Sequence, residues 1–324
     1  CRFLTTSEHI GLFAVCKEVG YTARKSVTWT NVALKHMSPF RKQLSRMLRH
    51  LSKERTSLAS IVVHSYPLRH CKWASGITTL NRLELEGQRR ISIDALSSCT
   101  QLTQLSLLPL DVSTADALSH LQNLRCLKLS HCELVDASAF SQCTTLRTLD
   151  LSAARIGDIS ALTCCPLLET LYLSDTQVCD VSSLSSCRQL THLCLDETPL
   201  SSISALSACT ALEVLHLDHT GVSDISPLAV CRNLEMLFLN FSRVSSISAL
   251  SSCAALTHVD LANTPVSSVL PLSGCVALRH LDLSGTRVPD ISYLSLCTAL
   301  RCLHIPREAD PLPLTSCPKL YFVQ

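Results

Sequence analysis

The sequence predicts an α/β solenoid, with a curved parallel sheet on its concave side, short helical or 3-10 turns on its convex side, and a helical cap at its N-terminal end. Three observations lead there: a strict 22-residue period, a short apolar alternation inside each period, and columns of cysteine and threonine that return at fixed places.

The period is read first, because a repeat of this length decides the architecture. A pattern of leucines starting at Leu146 restarts at Leu168, Leu190, Leu212, Leu234, Leu256 and Leu278, always by the same step. One copy is LETLYLSDTQVCDVSSLSSCRQ and the next is LTHLCLDETPLSSISALSACTA. Counting backwards reaches Leu124, Leu102 and Leu80 in register, and Leu58 more loosely through Ile61, Val63 and Ile77. Forward of Leu300 a further coil is two residues short, with Leu320 as its restart and Cys317 as its return residue. Full coils therefore run over 80–299, with degenerate coils at either end of a repeat domain spanning 58–324, and residues 1–57 form a separate basic, partly helical cap region.

The pattern L-x-x-L-x-L-x-x-T-x-V resembles the leucine-rich repeat, and the 22-residue length with a returning segment such as VSDISPLAVCRNL is similar to the internalin-like subclass, which includes regulators of type-1 protein phosphatase. The threonine and cysteine ladders together also resemble intracellular leucine-rich repeat proteins of trypanosomatid parasites, some labelled putative adenylate cyclase regulators. The resemblance implies a non-catalytic interaction scaffold or regulatory subunit, acting on a phosphatase or cyclase or within a large assembly. Motif residues build such a scaffold, whereas the variable positions choose its partner.

Within a coil, LETLYL alternates: Leu171 and Leu173 point to the interior, and Thr170, Tyr172 and Ser174 to the other face. That is a short strand, and stacked coils pair such strands in parallel at about 4.8 Å. Thr176, Thr198, Thr220, Thr264 and Thr286, with Ser242, fall where the chain turns away from the strand. Their hydroxyls are expected to bond to turn backbone from coil to coil. Asp158, Asp180, Asp224 and Asp290 precede Ile or Val and then Ser, a placement suited to capping one helical or 3-10 turn.

Nineteen cysteines would suggest a disulfide framework in a small secreted domain, but nine of them, from Cys99 to Cys297, share one repeat position. On stacked coils they form a column of small buried hydrophobes. Leu121 takes the same position in the coil from Leu102, and Cys132 enters the threonine column. Unpaired thiols place the protein inside the cell, in the cytoplasm, and argue against a surface adhesin. No C-x-x-C pair occurs, so no zinc ring or redox motif is expected, and nothing in the sequence calls for a cofactor.

Charge is divided unevenly: residues 1–57 carry 11 Lys or Arg against 3 Asp or Glu, and the remainder 17 against 23. Ser38 and Pro39 open a helix in which Leu44, Met47, Leu48 and Leu51 recur at helical spacing, while Arg41, Lys42, Arg46, Arg49 and Lys53 occupy other faces. Such a helix closes the uncovered end of the first coil, and its basic face suits nucleic-acid phosphate or another acidic surface. No run of 18 apolar residues occurs, so no membrane span is expected.

With leucine, threonine and cysteine columns assigned to the scaffold, partner recognition is expected on the outward strand positions and the residues just after each strand. From Leu168 onward these include Tyr172, His192, His216, Phe238, Phe241, His258, Asp260, His280, Asp282 and His304. Alternation puts His258 with Asp260, and His280 with Asp282, on one face and side by side. An exposed aromatic there is the usual anchor of a protein interface. A metal or acid–base site at the two His-x-Asp pairs is disfavoured, because the face is open and no nucleophile or phosphate loop accompanies them.

Overall fold

The computed structural model describes residues 31–34, 59–63, 71–86, 92–108, 116–132, 137–306, 314 and 320–323. The chain divides into two compact units, 1–155 and 156–324, in which the described residues form six and eight strands.

The first unit contains six strands: β1 (Asn31–Leu34), β2 (Ser60–Val63), β3 (Arg82–Glu86), β4 (Gln104–Leu108), β5 (Cys126–Lys128) and β6 (Thr148–Asp150). Each pairs in parallel with the next, and from β2 onward the partners are one full sequence period apart, as in Ser60↔Arg82 and Arg82↔Gln104. The parallel pairing therefore reaches back to β1, inside the segment read from the sequence as a basic, partly helical cap region. The basic helix expected from Ser38, with Arg41, Lys42, Arg46, Arg49 and Lys53, lies outside the described residues.

The second unit holds eight strands: β7 (Thr170–Tyr172), β8 (His192–Cys194), β9 (Val214–His216), β10 (Met236–Phe238), β11 (His258–Asp260), β12 (His280–Asp282), β13 (Cys302–His304) and β14 (Tyr321–Val323). All neighbours pair in parallel, and from β7 to β13 every partner again stands one full period from the last. The final step differs. Cys302 pairs with Tyr321, so the last coil is three residues short of a period, one more than the sequence spacing suggests.

Up to β13, each coil of the second unit returns through one five-residue 3-10 turn, of which Ser160–Cys164, Ser182–Ser186 and Ser204–Ala208 are typical. The turn continues beyond its formal end by further i→i−3 bonds: Cys187 N–H donates to Leu184 O at 2.9 Å, and Leu190 N–H to Cys187 O at 3.1 Å. Too few residues separate one strand from the next for an α-helix of useful length, and the tighter helix closes the coil in one turn.

The interior is the leucine set read from the period. Leu171, Leu193, Leu215, Leu237 and Leu281 on the strands, and Leu184, Leu206, Leu228 and Leu250 on the 3-10 turns, are 2 % exposed or less. Burying each contributes about 1.5–3 kcal/mol. The cysteine column is equally closed, and it does more than fill space. Thiols of the column reach the carbonyl of the 3-10 leucine one coil earlier: Cys209 Sγ stands 3.4 Å from Leu184 O, and Cys297 Sγ 3.3 Å from Leu272 O. Each of these carbonyls also accepts a backbone N–H, that of Cys187 or Cys275, so the thiol adds a second, weak bond.

The threonine column departs from expectation in one respect. Its hydroxyls are buried, but each donates to the carbonyl three residues back in its own coil, as Thr176 Oγ1 does to Leu173 O and Thr220 Oγ1 to Leu217 O, at 2.6 and 2.7 Å. The chain turns away too sharply just past the strand for that carbonyl to find a partner along the ladder, and the threonine side chain is the nearest donor. Contact between coils comes instead from backbone. Asp175, Glu197, His219, Phe241 and Asn263 all have φ near +56°, and each N–H donates to the following coil, for example Glu197 N–H to Asp218 O at 2.9 Å. A left-handed residue other than glycine costs about 1–2 kcal/mol, and the bond to the next coil offsets that strain. Gly285 continues the column with a glycine, at φ +69°.

Candidate functional site

The outward residues of β7 to β13 form two rows, set by strand register. Thr170, His192, Val214, Met236, His258, His280 and Cys302 make the first; Tyr172, Cys194, His216, Phe238, Asp260, Asp282 and His304 make the second. The structure thus brings the two His-x-Asp pairs side by side, with His258 beside His280 and Asp260 beside Asp282. Phe241 is apart from these rows. It occupies the left-handed turn beyond β10 and is 54 % exposed.

Rings on successive coils stack. His216 and Phe238 lie 4.3 Å apart at 15°, His258 and His280 4.4 Å apart at 8°, and His219 and Phe241 4.8 Å apart at 19°. The spacing of parallel strands matches the thickness of stacked rings, so side chains of like rotamer on neighbouring coils meet face to face. His219, not singled out in the sequence, belongs with this set; its repeat position just past the strand was the available signal.

Two imidazoles are held by the threonine before them. Thr191 Oγ1 is 2.9 Å from His192 Nδ1, and Thr257 Oγ1 is 2.8 Å from His258 Nδ1. Each hydroxyl also lies close to a carbonyl of the preceding coil, Glu169 O at 3.0 Å and Glu235 O at 3.1 Å, which accepts two backbone N–H groups as well. The threonine thus holds the ring through Nδ1 in either tautomer. Burial, then His280 and Arg279, hold the His258 pKa below its ordinary value. Burial also lowers that of His216, against the opposing pull of Asp196 and with help from His192.

The carboxylates are partly structural. Asp260 Oδ1 accepts Ala262 N–H at 2.8 Å, and Asp282 Oδ1 accepts Ser284 N–H at 2.8 Å. Two residues further along their coils, Asp196 and Asp218 make a ladder: Asp218 N–H donates to Asp196 Oδ1 at 2.9 Å, and Asn240 N–H to Asp218 Oδ1 at 2.7 Å. These acids give one oxygen to the backbone and keep the other. Asp282 Oδ2 meets His304 Nδ1 at 3.1 Å, and Asp196 Oδ2 is 3.8 Å from His216 Nδ1. Burial pushes Asp218 up to about 6, against its bond from Asn240 N–H and with help from Asp196 and Asp260. Asp260 is raised as well, mainly by burial.

The acids read as caps stand elsewhere. Asp158, Asp180, Asp224 and Asp290 accept the N–H of the serine that opens each 3-10 turn, at 2.7–2.8 Å. Among the described residues no group of three or more His, Cys, Asp or Glu is arranged to hold a metal ion, and no helix is long and apolar enough to cross a membrane.

A leucine-rich repeat model matches residues 142–162. No curated protein matches the sequence. Among solved structures, the chain is similar to an internalin, InlF, of Listeria monocytogenes, with a TM-score of 0.79 and 22% identity over 86% of this chain and 93% of that one. It is also similar to a leucine-rich repeat protein of Leptospira interrogans, with a TM-score of 0.71 and 14% identity over 91% and 90% of the two chains. The functional domain of InlJ from Listeria monocytogenes, which includes a cysteine ladder, gives a TM-score of 0.74 and 20% identity, over 84% of this chain and 59% of that one. At these identities the likeness speaks for the fold. Together with the 22-residue register, the 3-10 returns and the buried leucine columns, it makes the fold of this chain a leucine-rich repeat solenoid.

Proposed function

We propose that the chain is a non-catalytic binding module, a scaffold or regulatory subunit, that holds a partner protein on the strand face of its second unit. The observation that supports this reading most is the set of stacked rings, His216 on Phe238, His258 on His280 and His219 on Phe241, on the surface left over once the scaffold columns are removed. Stacking restricts the rings before a partner arrives, which lowers the ordering entropy that binding must overcome. Aromatic groups of this kind anchor protein interfaces. Tyr172, His192, His304 and the acids Asp260 and Asp282 complete the proposed surface. Thiols outside any disulfide, such as Cys187, Cys209 and Cys231, support a reducing, intracellular setting.

Affinity capture from cell extract, read by mass spectrometry, tests the reading with the wild type beside Phe238→Ala/His280→Ala. A partner retained by the first and lost by the second is the expected result. Identical partner lists from two equally stable proteins would sink it. A second reading, a structural part of a nucleic-acid-containing or cytoskeletal assembly held through residues 38–57, draws on the 11-to-3 excess of basic residues at that end. RNA affinity that falls steeply with salt and disappears with that segment would favour it.

A further inference from the structure

We propose that the strand face between β7 and β11 takes a segment rich in arginine or lysine, laid across the strands; this rests on the binding surface proposed above and names its partner class. Two features of different kinds point to a cationic occupant.

The first is the stack of His216 on Phe238. An aromatic face attracts guanidinium and ammonium groups, and the exposed Phe241, in the left-handed turn beyond β10, presents a further ring.

The second is how charge is sorted. From 168 to 255 the chain carries nine Asp or Glu against three Arg. Glu169, Glu213 and Glu235 recur just before the strands, while Asp196 and Asp218 recur two residues after them, so acids flank the rings on both sides. Arg188 and Arg232 stand after the 3-10 turns, on the return side, and Arg243 lies past the left-handed turn. The position held by Glu213 and Glu235 becomes arginine at Arg279 and Arg301, before β12 and β13. The face therefore has polarity, acidic over β7–β10 and basic at its upstream edge over β12–β13. Five strands at about 4.8 Å span about 19 Å, which an extended peptide covers with about six residues.

Fluorescence anisotropy with three labelled nonapeptides tests this: one with alternating arginine and leucine, its citrulline counterpart, and its glutamate counterpart. The arginine peptide is expected to bind at least ten-fold tighter than the citrulline peptide, and the glutamate peptide not at all. Glu213→Gln/Glu235→Gln is expected to weaken the arginine peptide about ten-fold, and Phe238→Ala/Phe241→Ala several-fold. Asp180→Asn/Asp224→Asn makes the same charge change on the capping side and is expected to leave binding within two-fold. Melting curves confirm that every variant is folded. Equal losses for the strand-side and capping-side acids would mean unspecific attraction and overturn the proposal. Ring-dependent binding of the citrulline or glutamate peptide would overturn the partner class while leaving the binding face in place. No response to any ring or acid substitution would remove both.

Discussion

The threonine column offers a comparison in which two neighbouring coils differ by one bond. Thr220 is 5 % exposed and its hydroxyl donates to Leu217 O at 2.7 Å. Ser242 takes the same place one coil later and is also 5 % exposed, but its hydroxyl has no partner, while its backbone N–H donates to Leu239 O at 3.0 Å. Thr220→Val keeps shape and removes the bond, which costs about 1 kcal/mol, rising toward about 2 if the Leu217 carbonyl loses its main donor. Ser242→Ala removes a buried hydroxyl with nothing to bond, a group whose burial costs about 1–3 kcal/mol, against a small loss of contact. It is therefore expected to be neutral or to stabilise by about 1 kcal/mol. The two substitutions should differ by about 2 kcal/mol with opposite signs. Urea unfolding at constant slope measures this from the midpoints. If Ser242→Ala destabilises as much as Thr220→Val, the column acts by packing alone, and hydrogen bonding to the turn is not what selects threonine there.

Three further outcomes follow from the same geometry. Burial raises the thiols of Cys187, Cys209 and Cys275 to about 11 and that of Cys231 to about 12, so at pH 8 a thiol at about 11 is thiolate in about one molecule in a thousand. Alkylation read by mass spectrometry should modify exposed Cys164 and Cys179 in the native protein and reach the column only after denaturation; native labelling of Cys209 would contradict the fold. Asp218 has a folded pKa raised from 3.8 to about 6, so the folded state binds its proton more readily than the unfolded chain does. Its contribution to stability is complete below 3.8 and is lost as pH rises through about 6. Relative to Asp218→Asn, the wild type should gain stability when pH is lowered from 7 to 5, an effect isolated by comparing melting curves, since the lowered pKa of His216 acts in the opposite sense. For Asp224 the sign is reversed: the bonds from Ser226 N–H and then its hydroxyl lower its pKa, so its support is present above the ordinary value of 3.8 and fades as pH falls through the folded value. Asp224→Ala should lower the melting temperature at pH 7 and merge with the wild type in strong acid.

The coil was legible because its information is local and repeated. Leu171, Leu193 and Leu215 recur at the step that stacking requires, and a column of identical residues must share one environment, so the burial of Cys187 and Cys209 followed from arithmetic. The acids at 158, 180, 224 and 290 were equally readable, since an acid two residues before a turn serine has one short reach. The left-handed column gave no such signal. Asp175, Glu197, His219, Phe241 and Asn263 share no chemistry, and the conformation is imposed by the backbone bond to the following coil rather than by side chains.

Register also needed the structure at the last coil, where pairing of Cys302 with Tyr321 makes the step three residues short of the period and not the two read from the sequence. The site divides in the same way. Sequence alone determined which residues lie on the strand face and that His258 neighbours His280, because period and alternation assign every side chain a row and a side. Only tertiary structure decided that these rings stack, that Thr257 holds His258 through Nδ1, and that Asp260 and Asp218 each give an oxygen to the backbone. Those outcomes depend on rotamers and on atoms of adjacent coils brought within about 3 Å, distances that a repeat pattern does not encode.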